Sequence, residues 1–442
     1  MREADTIAAL ATPVGAGAVA VLRVSGPRAL EVAGRVFRGQ QKVEKIASGR
    51  VARGQIVRDG AVLDDVLLTV FRAPRSYTGE NVVEISGHGG VVVAQSVLRA
   101  VLESGAVPAP PGEFTRRAFL NGKMDLTRAE AVMDLISARG EASARAAAAQ
   151  LEGKLGREID ALREALLMAL AHLEAFIDFP EEGIDPDSGA ALAGRVDDLL
   201  ERVARLLSTA DEGRMLREGV RLVIHGEPNV GKSSLLNLLL GYDRAMVSAI
   251  PGTTRDTIEE NLTLRGIPFR VIDTAGLRES ADPLEQEGMR RTRNQLEKAD
   301  VSIRVVERVV EAEAAAAVPR EIVVLNKIDA MPEVPVLPGI VPMCCLDGRG
   351  VEELVEAVVG RVNLASLDRL GESVAVNERH RLCLASARSY LEQAKISLQH
   401  GDAPELTAVE LRSALAAVGE ITGAGDADEV LDRIFGSFCI GK

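Results

Sequence analysis

Apolar positions fall into three regimes along the chain. Over residues 1 to about 120 they gather in short runs, at 19–24, 62–71 and 81–86, each rich in Val, Ile and Leu and bounded by Gly, Pro or Ser, which predicts strands. Ser25-Gly26-Pro27 ahead of an Ala/Val/Glu run predicts a helix cap and first turn. Strands and helices mixed on this scale make an α+β domain. From about residue 126 to 211 the spacing changes to three and four residues in a composition rich in Ala, Leu, Glu and Arg. That predicts long packed helices, broken at Phe179-Pro180 and Pro186. Between about 219 and 362, apolar runs at 221–225, 269–272 and 321–325 alternate with helical segments, the order expected of βαβ units in a mostly parallel sheet. After about Asn377 the helical regime returns. Similar helical sequence on both sides of an α/β segment predicts an insertion. The expected organisation is an N-terminal α+β domain (1–120), a helical domain (121–213, resumed at 367–442) and an inserted α/β domain (214–366).

Charge and composition narrow the functions open to such a chain. Its 442 residues carry 65 Asp and Glu against 52 Lys and Arg, a formal charge of −13, so a broad basic footprint for nucleic acid is excluded and any RNA partner is held locally or through another protein. Aromatics are 3% with no Trp, which argues against a stacking platform for bases. Hydrophobic residues at 47% are ordinary globular usage. Cys344, Cys345, Cys383 and Cys439 have neither disulfide-scaffold nor zinc spacing, as expected in a reducing compartment. The apolar stretch at 6–24 follows Glu3 and Asp5 and is interrupted by Pro13, Gly15 and Gly17, so neither a signal peptide nor a membrane span is expected, and the chain reads as cytoplasmic.

The chemistry concentrates in the α/β segment. Gly-Glu-Pro-Asn-Val-Gly-Lys-Ser at 226–233 lies between a strand run and a helical run that includes Ser234. In that context glycines let backbone N–H groups curl around phosphates, Lys232 neutralises the β and γ charges and the Ser233 hydroxyl can ligate Mg²⁺. Asp273-Thr274-Ala275-Gly276 follows the strand run at 269–272, placing a carboxylate beside that metal and a glycine N–H near the γ-phosphate. Asn326-Lys327-Ile328-Asp329 follows a third strand run. A carboxylate at Asp329 can accept from the N–H and exocyclic amine of guanine, whereas adenine would turn an acceptor toward it, so the base is guanine and an ATPase is excluded. Gly252-Thr253-Thr254-Arg255-Asp256 occupies the place of a switch loop, with hydroxyls able to sense Mg²⁺ and the γ-phosphate. After Asp-Thr-Ala-Gly stands Leu277, which cannot polarise water, so the water-positioning group comes from elsewhere and the transferring phosphate still needs a cation. The inserted domain is thus expected to be a Ras-like P-loop GTPase fold.

Those motifs, with Ile177-Asp178-Phe179-Pro180-Glu181-Glu182 and the ending Phe438-Cys439-Ile440-Gly441-Lys442, resemble the MnmE (TrmE) family of tRNA modification GTPases across nearly the whole chain. The resemblance implies a K⁺-activated GTPase with G domains that pair across the nucleotide face. It places K⁺ among Asn229, Ser248, Ile250 and Thr253, Mg²⁺ at Ser233 and Thr254, and the water-orienting glutamate at Glu285, with Lys232 and Thr254 also catalytic. It extends the nucleotide site over Asn229, Val230, Gly231, Lys232, Ser233, Ser234, Ser248, Thr253, Thr254, Asp273, Thr274, Ala275, Gly276, Asn326, Lys327, Asp329, Cys344 and Cys345. A caged monovalent cation would supply the charge an arginine finger supplies elsewhere. The resemblance further implies an N-terminal dimerisation module that binds 5-formyltetrahydrofolate or a related one-carbon folate through Arg23, Glu80, Lys123 and Lys442. It also implies action on carbon five of the wobble uridine of certain tRNAs, of the carboxymethylaminomethyl or aminomethyl type, with the FAD-dependent partner MnmG (GidA). A regulatory GTP switch or a ribosome or RNA assembly factor is the alternative that the G motifs alone leave open.

Several residues carry readings of their own. Gly87-His88-Gly89-Gly90 either admits a ligand close to the backbone or has His88 bracing a turn, and Cys439 is expected to be structural. Two departures from the family pattern stand out. Cys344-Cys345 replaces the usual Ser-Ala beside the guanine edge, and Glu307-Arg308 follows a strand where an aspartate and small residues are common.

Overall fold

The computed structural model describes residues 5–138, 140–178, 189–246, 260–272, 295–316, 321–334, 337–362, 376–424 and 428–442. They form a multidomain α+β and α/β chain in two compact units, Met1–Met133 with Gly419–Lys442, and Asp134–Val418.

The first unit is built on a seven-stranded sheet of β1 (Ile7–Leu10), β2 (Val19–Ser25), β3 (Phe37–Gly39), β4 (Val51–Arg58), β5 (Ala61–Phe71), β6 (Val82–His88) and β7 (Val107–Pro108), in the order β3-β4-β5-β6-β2-β1-β7. All neighbours are antiparallel except β1 and β7. Alternation assigns the two faces: Leu22, Val24, Leu68, Val70, Val83 and Ile85 point into one core with α1 (Ala29–Val36) and α2 (Val91–Glu103). The opposite positions, among them Val51, Leu67, Arg23 and Glu84, form the other face. The helix start expected at Ser25-Gly26-Pro27 lies further on. Arg28 is the N-cap of α1 and gives no side-chain cap, while Ser25 ends β2 and its hydroxyl turns to Thr78 and Glu80. After α3 (Glu113–Leu120) and the first turns of α4 (Leu126–Ser137), the C-terminal helix α14 (Asp428–Gly436) belongs to the same unit, where Phe435 and Phe438 join Leu126 and Ala129 in a small core. Gly441 passes so close to β1 that a Cβ on it would sit 2.1 Å from the Leu10 carbonyl oxygen.

The second unit holds helices α5 (Glu141–Leu151), α6 (Lys154–Asp178), α7 (Gly189–Ser208), α8 (Ala210–Glu218), α12 (Glu378–His400) and most of α13 (Pro404–Thr422), together with a six-stranded sheet. The sheet comprises β8 (Val220–His225), β9 (Glu260–Leu264), β10 (Ile267–Val271), β11 (Val301–Val306), β12 (Glu321–Leu325) and β13 (Ile340–Pro342) in the order β13-β12-β11-β8-β10-β9, and every pairing is parallel except β10 with β9. The run of Ile, Val, Val and Leu in β12 fits a central strand covered on both faces. Helices α9 (Lys232–Met246) and α11 (Val351–Arg361) contribute Leu235, Leu239, Val355 and Val358 to the larger core, and Val323, Leu325 and Val306 meet Ala312 of α10 (Val309–Ala316) on the other side. Helix α12 starts where the sequence changes regime, with Asn377 as N-cap accepting from the His380 N–H at 2.8 Å. No helix among the described residues is long and apolar enough to cross a membrane.

Candidate functional site

The loop between β8 and α9 is shaped by tying its carbonyls backward. Lys232 Nζ donates to the Glu227 carbonyl at 2.7 Å, Lys327 Nζ to the Asn229 carbonyl at 2.9 Å and Asn326 Nδ2 to the Val230 carbonyl at 2.8 Å. With three of its carbonyls captured on the protein side, the loop presents its N–H groups ahead of a helix N-terminus, the arrangement that holds an anion. Asn229 and Lys327 both adopt left-handed φ, 64° and 61°, uncommon for residues with a Cβ and characteristic of loops whose course is dictated by a site. Gly231 has φ 98°, and a Cβ there would lie 2.2 Å from Asn326 Nδ2, so the close passage of the two loops demands glycine. Lys232 is the first residue of α9, with Ser233 and Ser234 exposed in its first turn.

The same asparagine joins this loop to a second one. Asn326, 2% exposed at the end of β12, accepts from the Cys345 N–H at 3.3 Å through Oδ1, so one side chain bridges the phosphate-type loop and the loop after β13. Asp329, exposed, receives the Cys344 thiol on Oδ1 at 3.3 Å. Thus Asn229, Val230, Gly231, Lys232, Ser233, Ser234, Asn326, Lys327, Asp329, Cys344 and Cys345 are gathered at the carboxyl ends of β8 and β12, where open α/β sheets bind ligands. Ser248, Ile250, Thr253, Thr254, Asp273, Thr274, Ala275, Gly276 and Glu285 lie outside the described residues. His225, the last residue of β8, is a neighbour that sequence reasoning missed. Burial lowers its pKa, Arg304 and Lys232 lower it further, and Glu321, 3.3 Å away, opposes them. Its side chain is paired with Glu321 of β12.

In the first unit the four folate candidates surround α3 and the 74–80 loop. Arg23 pairs with Glu84 at 2.8 Å and its guanidinium lies 5.2 Å from the Tyr77 ring centre and 5.6 Å from that of Phe114. Glu80 accepts from the Ser25 hydroxyl at 2.7 Å and from Arg117. Lys123 Nζ donates to the Pro74 carbonyl at 3.1 Å, and the Lys442 carbonyl accepts from the Phe114 N–H at 3.2 Å. Burial raises the Tyr77 pKa, against its hydrogen bond to Thr115 and the charge of Arg23. His88 stands at the far end of β6 from Glu80, braced by buried Asp64 at 2.6 Å, which raises its pKa. Cys439 is exposed, so what it gives the tail is its carbonyl, which accepts from the Lys442 N–H at 3.3 Å.

A family model described as GTP-binding protein TrmE N-terminus matches residues 6–123, and one described as MnmE helical domain matches residues 126–439. A tRNA modification GTPase MnmE from Akkermansia muciniphila is 47% identical over 99% of this chain and 99% of its own. The chain belongs to the MnmE (TrmE) family. Proteins of the same name from Chloroflexus aurantiacus, 45% identical over 99% of this chain and 100% of theirs, and from Thermus thermophilus, 44% identical over 100% of both, are equally full-length relatives. Among solved structures, the G domain of the T. maritima FeoB iron transporter matches 32% of this chain and 98% of its own at 27% identity, with a TM-score of 0.24.

Both departures from the family pattern acquire contacts. Glu307, which had no account in the sequence, forms an ion pair with Lys327, the lysine that braces Asn229. Cys344 is 1% exposed and its thiol is the group that orients Asp329. Burial, then the neighbouring Cys344, pushes the Cys345 thiol up to about 11, so it stays protonated and unreactive at neutral pH. A hydroxyl is a stronger and shorter-reaching donor than a thiol, and a neutral hydrogen bond contributes about 0.5–1.5 kcal/mol. Cys344→Ser is therefore expected to tighten guanine nucleotide binding about twofold to tenfold, and Cys344→Ala to weaken it by a similar factor, read by fluorescent-nucleotide titration.

Proposed function

We infer that this chain hydrolyses GTP to GDP and phosphate and acts in tRNA modification. The observation that carries the reading is Asn326, one buried side chain that bonds to both the phosphate-type loop and the loop beside Asp329, in a chain that matches tRNA modification GTPases from end to end. Asp329 reads the guanine edge, the loop N–H groups and Lys232 take the phosphates, and Cys345 N–H lines the base side.

The described donors fit the two metal ions of the proposal. Ser233 offers an exposed hydroxyl in the first turn of α9, suited to a small hard cation, and Asn229, exposed in the loop ahead of that helix, offers a carboxamide oxygen suited to K⁺. When bound, K⁺ would supply positive charge near the transferring phosphate in place of an arginine finger. Thr254 and Glu285 complete the catalytic set in this reading, as switch threonine and water-orienting base. We expect hydrolysis to run about tenfold or more faster in K⁺ than in Na⁺ at equal ionic strength. Asn229→Ala should abolish that difference. Equal wild-type rates in the two salts, measured by phosphate release, count against the cation mechanism.

The remaining assignments follow the same reading. Residues 1–120 form the folate and dimerisation module, 121–213 with 367–442 the helical module and 214–366 the G module. Around the folate pocket, Glu80 suits the N–H donors of a pterin, and Arg23, Lys123 and Lys442 suit the glutamyl carboxylates. The sheet face opposite α1 and α2, with Val51 59% and Leu67 49% exposed, supports pairing of two copies through this module. The product is carbon-five modification of the wobble uridine, made in the cytoplasm with MnmG (GidA). An acidic chain that grips RNA poorly by itself agrees with a shared task. Nucleoside mass spectrometry of tRNA from cells lacking the protein tests this directly: unchanged wobble uridines would return the chain to the class of GTP switches.

A further inference from the structure

Arg117 of α3 carries no signal in the sequence, yet among the described residues it is the one arginine or lysine in the buried class, 5% exposed. Its Nε donates to Glu113 at 3.0 Å, and its Nη1 donates to the Asp5 carbonyl at 2.8 Å and to both oxygens of Glu80, at 3.1 and 3.3 Å. Its Nη2 is buried with no acceptor. A guanidinium kept out of water with one nitrogen unsatisfied is a poor way to stabilise a fold, since the same volume filled with apolar atoms would cost less. The arrangement does accomplish something else. Glu80 is held from every side: Arg117 grips both oxygens, the Ser25 hydroxyl bonds Oε2 at 2.7 Å, and the Glu80 main chain is fixed by Thr78 on its N–H at 3.3 Å and by Ser76 on its carbonyl at 2.6 Å. The carboxylate nevertheless reaches the surface, its side chain 19% exposed against 6% for Arg117.

A carboxylate locked in one rotamer with lone pairs still open is suited to a planar ligand that offers two N–H donors side by side. We propose that Arg117 is the positioning residue of the folate pocket, holding Glu80 where the 2-amino group and ring N–H of a 4-oxo-pteridine meet it. This rests on the folate reading above and assigns Arg117 a role through Glu80, with no contact of its own to the ligand.

Binding of 5-formyltetrahydrofolate to the full-length chain, measured by calorimetry, tests it. Arg117→Ala and Glu80→Gln are each expected to weaken binding about tenfold or more, and the double variant no more than about twofold beyond the weaker single one, because both remove the same interaction. Arg117→Lys should recover part of the loss, and GTP affinity should be unchanged throughout. Wild-type-like binding in Arg117→Ala, or losses that multiply in the double variant, overturn the proposal. Should Arg117→Ala fail to fold by circular dichroism, the cycle is run with Arg117→Lys under the same two criteria. A wild-type chain that binds no folate overturns the folate reading itself, and this role with it.

Discussion

Asp329→Asn should lower affinity for GTP by roughly 100-fold or more and make xanthosine triphosphate the preferred ligand. The carboxylate stands exposed at the end of the 326–329 segment, one oxygen already fixed by the Cys344 thiol. Guanine offers its ring N–H and its amine to such a group. Each bond to a charged acceptor contributes about 1.5–3 kcal/mol, and the substitution weakens one to a neutral bond and replaces the other by two donors face to face, so the cost is about 3 kcal/mol or more. Asparagine offers one acceptor and one donor instead. Xanthine, with a carbonyl where guanine has an amine, matches that pair, and a site built for hydrogen bonds rejects a ligand that leaves them unmade by far more than an apolar pocket could. Competition against a fluorescent GTP analogue reads both numbers. Unaltered preference for GTP over xanthosine triphosphate would remove Asp329 from base recognition. The substitution sits on the surface, so thermal unfolding should barely move, which separates lost recognition from lost fold.

What the sequence discloses and what it hides divide along one physical line. Strands β2, β5, β6, β8 and β12 are legible because Val, Ile and Leu dominate each of them, with no more than a few polar residues between turn signals. Strand β4 is not, since Arg53, Gly54 and Gln55 interrupt its pattern, and it is held by pairing with β5 over its whole length and with β3 on its other side. The phosphate-type loop is legible because its chemistry is contiguous, and each glycine and lysine performs its role within eight residues. The bracing is not. Asn326 lies 96 positions from Val230, Lys327 meets Glu307 across the tops of two strands, and Arg117 finds Glu80 at a separation of 37. Such pairs depend on register and strand order, which no local pattern encodes. Glu307 looks like an unexplained departure for the same reason: its meaning is carried by a lysine twenty residues later. The Ser25 cap fails in the opposite sense. The local signal is real, but a tertiary partner, Glu80, takes the hydroxyl that the helix would have used.

Asn326→Ala should abolish tight binding of GTP and GDP alike, by about 100-fold or more, with loss of stability in the second unit. The side chain is almost fully buried and satisfies two main-chain groups on separate loops, the Val230 carbonyl and the Cys345 N–H. Truncation strands both in a low-dielectric interior, at about 1–3 kcal/mol each. The phosphate-type loop then loses one of the three carbonyl restraints that aim its N–H groups outward, and the Cys345 loop loses its anchor beside the base. Both halves of the ligand are weakened together, unlike Asp329→Asn, whose effect is confined to the base. Asn326→Asp distinguishes the two bonds: it can still accept from Cys345, but it turns a second acceptor toward the Val230 carbonyl, so it should bind no better than the alanine variant. Differential scanning calorimetry alongside nucleotide titration reads both consequences. Retention of nucleotide affinity within about threefold in Asn326→Ala would mean that the two loops hold their shapes independently, and that the bridge on which the guanine site is built contributes nothing to it.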